Sequence, residues 1–278
     1  MHHFALTCIL IHIFEMTISG ALLIGFLLVG LLVTGILLFR PVRGKKTDAP
    51  FPQEWRALLE EHVSYYRQLG SAEKERFESW VDSFLLNCEI TGIGVEVDDL
   101  DRLLVASSAA IPIFGFPKWT LYPNLREVLL YPNTFADDTF ATEGADRDVV
   151  GMVGWGYMHG KMILSKPALR LGFEQSGRSN VGIHEFVHLL DKADGSTDGL
   201  PEYLLERQYT IPWLDLIRKE MEAIREGDSD IGGYGGTSPT EFFAVAAEFF
   251  FQRPHHLERE HPELFGMLER IFKQDLSG

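Results

Sequence analysis

The sequence predicts an α+β domain, mostly helical with a small sheet, preceded by one N-terminal transmembrane helix. Three observations carry this. Thr17–Phe39 holds no charge and Gly20–Phe39 is almost wholly apolar, about the 20 residues needed to cross a bilayer. Beyond it, residues such as Trp55, Leu58, Leu59, His62 and Tyr66 recur at helical spacing. Between the helical stretches lie only a few short β-type runs, in Arg126–Tyr131 and Gly151–Ser165, enough for a small sheet beside helices.

The N-terminal part reads as residues 1–40 with the span at about 18–39, followed by a polar, Pro-containing linker at 41–52 and one domain at 53–278. Arg40, Arg43, Lys45 and Lys46 follow the span at once. A basic cluster there keeps the C-terminal side in the cytoplasm, which predicts a single-pass protein of a bacterial-type inner membrane. A cleaved signal peptide fits poorly, because the apolar run is too long and its basic flank is on the wrong side. Gly20, Gly25, Gly30 and Gly35 recur every five residues and so spiral around a helix, which gives no small-residue dimerisation face. The two cysteines, Cys8 and Cys88, make no disulfide framework, as expected for a reducing cytosol. A formal charge of −15 argues against nucleic acid as a partner.

The domain elements follow in order. Glu54–Leu69 and Ser71–Leu86 read as helices. Gly92–Val97 suggests a short strand or extended turn, and Asp98–Ala110 a third helix with an Ala/Ser-rich face, ended by Ile111-Pro112. Arg126–Tyr131 reads as a strand ended by Pro132-Asn133. Gly151–Ser165 reads as one or two strands, whose edge suits peptide binding by strand addition. Pro212–Arg225 is helical, with Pro212 in its first turn. Gly232-Gly233-Tyr234-Gly235-Gly236 reads as a flexible loop, Ser238–Gln252 as a further helix, and Pro262–Asp275 as the last.

His184-Glu185-Phe186-Val187-His188 is an H-E-x-x-H motif inside a helical pattern that Asn180 can cap and that stops near Gly195. Residues four apart share a helix face, so both imidazoles reach one ion. Zn²⁺ accepts neutral imidazole and in a catalytic site keeps one position for water. Glu185 follows the first ligand and stands beside that position as general base, the arrangement of a zinc hydrolase. The competing reading is a buried helix whose two histidines pair with backbone or carboxylates.

Such a site needs a third protein ligand. Glu241 and Glu248, seven apart, share a face of an otherwise apolar helix, and buried carboxylates need a partner. Glu241 has a second reading, since Ser238 at N-cap, Pro239 at N1 and Glu241 at N3 spell a capping box. Glu248 has one too, as an ion-paired buried acid or a group that orients an imidazole.

His184–His188 followed by Asp191, then Tyr234, then Ser238–Ala244 and Glu248-Phe249-Phe250 resemble the motif blocks of the Mlc titration factor A-like zinc peptidases. The catalytic core of that family is in turn similar to that of anthrax lethal factor. The resemblance covers most of residues 50–275. It implies a zincin-like metallopeptidase domain in which His184, His188 and Glu241 bind Zn²⁺. It further implies that Glu185 activates water and Tyr234 stabilises the oxyanion, with aminopeptidase activity on short substrates. The family's name also implies a regulatory protein partner. Zinc sites of the thermolysin type place an Asp four residues after the Glu ligand. Here that position is Val245, which leaves Asp191 and Glu248 as candidates to orient the imidazoles.

These readings predict a membrane-anchored, zinc-dependent peptidase acting on a peptide or protein substrate. The rival is a membrane-tethered binding module that sequesters a regulatory protein, and an intact Glu185 favours the enzyme. A metal-dependent esterase or amidase would share the same site. His159 reads as packed or solvated, and His255, His256 and His261 as surface residues. Trp55, Trp80, Trp119, Trp155 and Trp213 read as core.

Overall fold

The computed structural model describes residues 49–119, 122, 124–133, 151–153, 160–174 and 179–277. They belong to one unit, Gly44–Gly278. The expected span at about 18–39, His159 and Trp155 lie outside the described residues. Among the described residues, no helix is long and apolar enough to cross a membrane.

The fold is α+β and mostly helical. In chain order the elements are α1 (Gln53–His62), α2 (Ser64–Gln68), α3 (Ser71–Asn87), β1 (Glu89–Gly92), α4 (Asp99–Ile113), β2 (Glu127–Tyr131), β3 (Gly151–Val153) and β4 (Lys161–Ser165). Then come α5 (Lys166–Glu174), α6 (Val181–Asp191), α7 (Thr210–Glu226), α8 (Pro239–Gln252), α9 (Pro254–Glu260) and α10 (Pro262–Phe272). The sheet order is β1-β2-β4-β3, with β1, β2 and β4 parallel and β3 antiparallel at the edge.

Several boundaries differ from the sequence pattern. The first helical stretch is two helices, parted at Val63, whose extended backbone (φ −112°, ψ 95°) breaks the turn while its side chain stays buried. The first strand ends where it was expected to begin. Ile90 is buried and pairs with Val128, while Gly94 turns the chain away at φ +67°. Helix α4 runs through Pro112, which sits in the last turn, where a proline forgoes a single backbone bond. Its N-terminus is a capping box, with Asp98 Oδ1 accepting from Asp101 N and Asp101 Oδ2 from Asp98 N. Helix α5 lies outside the helical runs that the sequence pattern predicts. Ser165 Oγ accepts from Ala168 N just before it, a cap signal next to Pro167.

One aromatic-rich core unites the helices. Phe186, Phe242, Phe243, Phe250, Phe272 and Trp213 are fully buried, each contributing roughly 1.5–3 kcal/mol of burial. Trp55, Trp80 and Trp119 are half-buried against that core, so among the described tryptophans only Trp213 is core in the strict sense. Helices α4 and α6 cross closely at Gly182, where a Cβ would stand 2.1 Å from Ser108 Oγ. Any larger residue there would push apart the two helices that set the depth of the motif.

Candidate metal centre

Helix α6 begins as the sequence implies: Asn180 Oδ1 accepts from Ile183 N at 3.1 Å. It ends at Asp191 and passes into a 3₁₀ turn, Lys192–Asp194, closed by Gly195 at φ +101°. His184 and His188 project from one face, with their rings edge-to-face and centroids 4.6 Å apart. Helix α8 lies against α6 and brings Glu241 to the same point.

The three donor atoms converge. His184 Nε2 lies 3.0 Å from His188 Nε2 and 3.0 Å from Glu241 Oε2, and His188 Nε2 lies 3.4 Å from Glu241 Oε2. Among the described residues this is the one His/Cys/Asp/Glu group placed to hold a metal ion. Zinc bonds of roughly 2.0–2.2 Å give a tetrahedron with edges near 3.3 Å, so the three atoms make one face of such a site. The tautomers agree. His184 Nδ1 is 2.6 Å from Glu248 Oε1, so it carries the hydrogen and Nε2 of the neutral ring presents a lone pair to the convergence point. Three such acceptors within 3.4 Å of one another repel unless a cation or an added proton lies between them.

The capping-box reading of Glu241 is half right. Ser238 Oγ accepts from Glu241 N at 3.2 Å, which caps α8. The Glu241 carboxylate does not return to the Ser238 backbone but faces both imidazoles. The first turn of α8 is anchored from the segment after α6. Thr240 Oγ1 donates to Thr197 O at 3.2 Å. Gly199, at φ +77°, comes so close that a Cβ would meet Pro239 O at 2.4 Å.

Glu248 is the group that orients His184. Its Oε2 accepts from Ser179 Oγ at 2.7 Å and Asn180 N at 2.7 Å, while Oε1 takes the His184 Nδ1 hydrogen. This carboxylate therefore ties α8 to the start of α6 and sets the imidazole tautomer at once. Ser179 was not singled out in the sequence; a hydroxyl directly before an N-cap Asn is too common to signal it. Asp191 has a different place. It is fully buried, and its Oδ2 accepts from Gly199 N at 2.9 Å. Its Oδ1 has no hydrogen-bond partner among the described residues, and neither oxygen bonds an imidazole.

The electrostatics follow from burial and charge. Burial opposes a charge on His184, but Glu241 and Glu248 outweigh it and raise its pKa to about 10. Burial also opposes the Glu241 charge, yet the two imidazoles hold its pKa well below the carboxylate range. Burial raises Glu185, despite His184 and His188 nearby, and its carboxylate makes no hydrogen bond to a described residue. Burial likewise raises Asp191, to about 6.

Tyr234 stands on a 3₁₀ turn, Gly233–Gly236, rather than an unstructured loop. Gly235 and Gly236 are buried, and Gly235 packs toward Val245, the residue that replaces an acid on α8. The Tyr234 ring is 60% exposed, with its centroid 6.0 Å from that of His184. His261, read as a surface residue, is largely buried, with its side chain 12% exposed between Glu220 and Asp230.

The sequence profile of a family described as glucose-regulated metallo-peptidase M90 matches residues 39–273. An uncharacterized protein of Synechocystis sp. is 29% identical over 241 residues, spanning 80% of this chain and 84% of that one. Mlc titration factor A of Pectobacterium atrosepticum is 24% identical, spanning 80% of this chain and 86% of its own. Mlc titration factor A of Cronobacter sakazakii is 26% identical over 254 residues, spanning 84% and 91% respectively.

Proposed function

Since the chain belongs to the glucose-regulated metallo-peptidase M90 family, we propose that it is a zinc-dependent peptidase, anchored in a bacterial-type inner membrane with its domain in the cytoplasm. The observation that carries the chemistry is the convergence of His184 Nε2, His188 Nε2 and Glu241 Oε2. Two imidazoles and one carboxylate suit Zn²⁺ among the common divalent ions. A zinc ion held there supplies Lewis acidity, polarising a scissile carbonyl and lowering the pKa of water toward about 7.

The chain's own groups do the rest. Glu185, buried and without a competing hydrogen bond among the described residues, takes the proton of the attacking water and delivers it to the leaving amine. Its raised pKa suits a group that must both accept and give up a proton. Tyr234 O–H donates to the developing oxyanion. Glu248 keeps the hydrogen on His184 Nδ1 throughout. The outer edge of β3, an antiparallel edge strand lying beside α6, offers backbone groups on which an extended peptide can add. The resemblance points to short substrates cleaved by an aminopeptidase.

Relatives named Mlc titration factor A suggest sequestration of a protein partner as the rival role, and such a binding role needs no base at position 185. The buried Glu185 carboxylate favours the enzyme. Glu185→Gln in the full-length chain separates the two. It should keep about one zinc per chain and lose cleavage of a peptide library by at least about 10²-fold. A zinc-loaded Glu185→Gln protein with full activity would refute the mechanism.

A further inference from the structure

We propose that Asp230, His256 and His261 form a clamp that positions Tyr234 beside the ligand triad, an inference that rests on the oxyanion role given to Tyr234 above. The backbone before Tyr234 is held by little of its own. Among the described residues, chain neighbours aside, no atom lies within 4 Å of where a Cβ would stand on Gly232 or Gly233. The turn closes on itself through Gly235 N donating to Gly232 O and Thr237 N donating to Tyr234 O, and it is tied at its two ends as well. Downstream, Arg225 Nε donates to Gly236 O at 2.8 Å. Upstream, the last charged residue before the glycines is Asp230, and both its oxygens are taken.

Asp230 Oδ1 faces His261 Nε2 at 2.8 Å, and Oδ2 is bonded by His256 Nε2. Arg259 Nη2 donates to His256 Nδ1 at 3.0 Å, which leaves the His256 hydrogen on Nε2, the nitrogen that faces Asp230. His261 Nδ1 in turn lies 3.0 Å from Glu220 Oε2 on α7. Both ring nitrogens of His261 thus face carboxylates, and both bonds form together when each nitrogen carries a hydrogen. Helix α7, helix α9 and the residue that caps α10 therefore hold one carboxylate, four residues from Tyr234. Nothing in the catalytic reading uses these five side chains. A loop that must place a phenol to within a fraction of an ångström needs such support from rigid elements.

Ile231, buried at 2% exposure, is the alternative anchor, and the test must separate packing from the clamp. Asp230→Ala does so, because it removes both acceptor oxygens that the imidazoles share while leaving the Ile231 side chain in place. The side chain is 43% exposed, so the fold should survive, which a melting curve checks. In the full-length chain we expect kcat to fall about 3–30-fold with KM and zinc content unchanged. Placed in a Tyr234→Phe background, the same substitution should cost less than about twofold. Amides of residues 231–237 should exchange at least about fivefold faster, with α6 unchanged. Equal losses in both backgrounds, or unaltered exchange over 231–237, would overturn the clamp. If the wild-type protein cleaves nothing, the peptidase reading fails; if Tyr234→Phe has no effect, the oxyanion role of Tyr234 fails; in both cases the exchange measurement still decides the clamp. Should Asp230→Ala unfold, His256→Ala removes one of the two imidazoles from a half-exposed position and must show the same pattern.

Discussion

Replacing Glu248 by glutamine probes the centre through a residue that is not itself a ligand. The carboxylate is 6% exposed and accepts three hydrogen bonds, from Ser179 Oγ, Asn180 N and His184 Nδ1, all at 2.6–2.7 Å. Glutamine offers one oxygen where glutamate offers two. If that oxygen serves Ser179 and Asn180, the amide nitrogen meets the His184 Nδ1 hydrogen, donor against donor. His184 then relieves the clash by moving its hydrogen to Nε2, and the lone pair at the convergence point is lost. If the oxygen serves His184 instead, the amide nitrogen faces the Asn180 N–H. Either orientation removes a hydrogen bond to a charged group, about 1.5–3 kcal/mol, and leaves a buried donor poorly paired. Zinc affinity should therefore fall about 10–100-fold, the usual scale for removing a group that orients a ligand. Competition against a chromophoric chelator reads the affinity, and the melting temperature of the metal-free protein should fall as well. Glu248→Gln with wild-type zinc affinity and unchanged melting would refute the assignment of His184 Nδ1–H to Glu248.

Three further outcomes are expected. In the metal-free protein the His184 pKa lies near 10, above its usual 6.5. That stabilisation is complete below about pH 6.5 and lost as pH rises through about 10. Chelated protein should melt lower across this window than at pH 6, and zinc should flatten the fall; equal pH dependence with and without metal would contradict the charge balance. Tyr234→Phe should lower kcat and kcat/KM together by roughly 10–10³-fold with zinc content unchanged, and an unaltered kcat would remove the phenol from the mechanism. A C-terminal reporter should be active only when it requires the cytoplasm, by the basic cluster Arg40–Lys46; one active only outside would overturn the proposed topology.

The parts legible in the sequence are those whose geometry is local. Four residues of helix decide that His184 and His188 share a face, and Asn180 caps the helix through a bond three residues long. The α+β class and most helix cores follow from periodicity alone. Glu241 was legible only as two alternatives, because a capping box and a metal ligand use the same residue at the same place. The fold separates them: the backbone N–H of Glu241 goes to Ser238, while its carboxylate meets imidazoles 53 and 57 residues away. Asp191 and Glu248 looked equivalent as buried acids near the motif. Only the packing of α8 on α6 sends Glu248 to His184 and leaves Asp191 to Gly199. The same holds for His261, polar in its sequence context yet enclosed between α7 and the 227–232 segment. Sequence spacing determines which atoms one helix can present. Which of them meet across helices depends on how the aromatic core seats those helices, and that is a property of the whole chain.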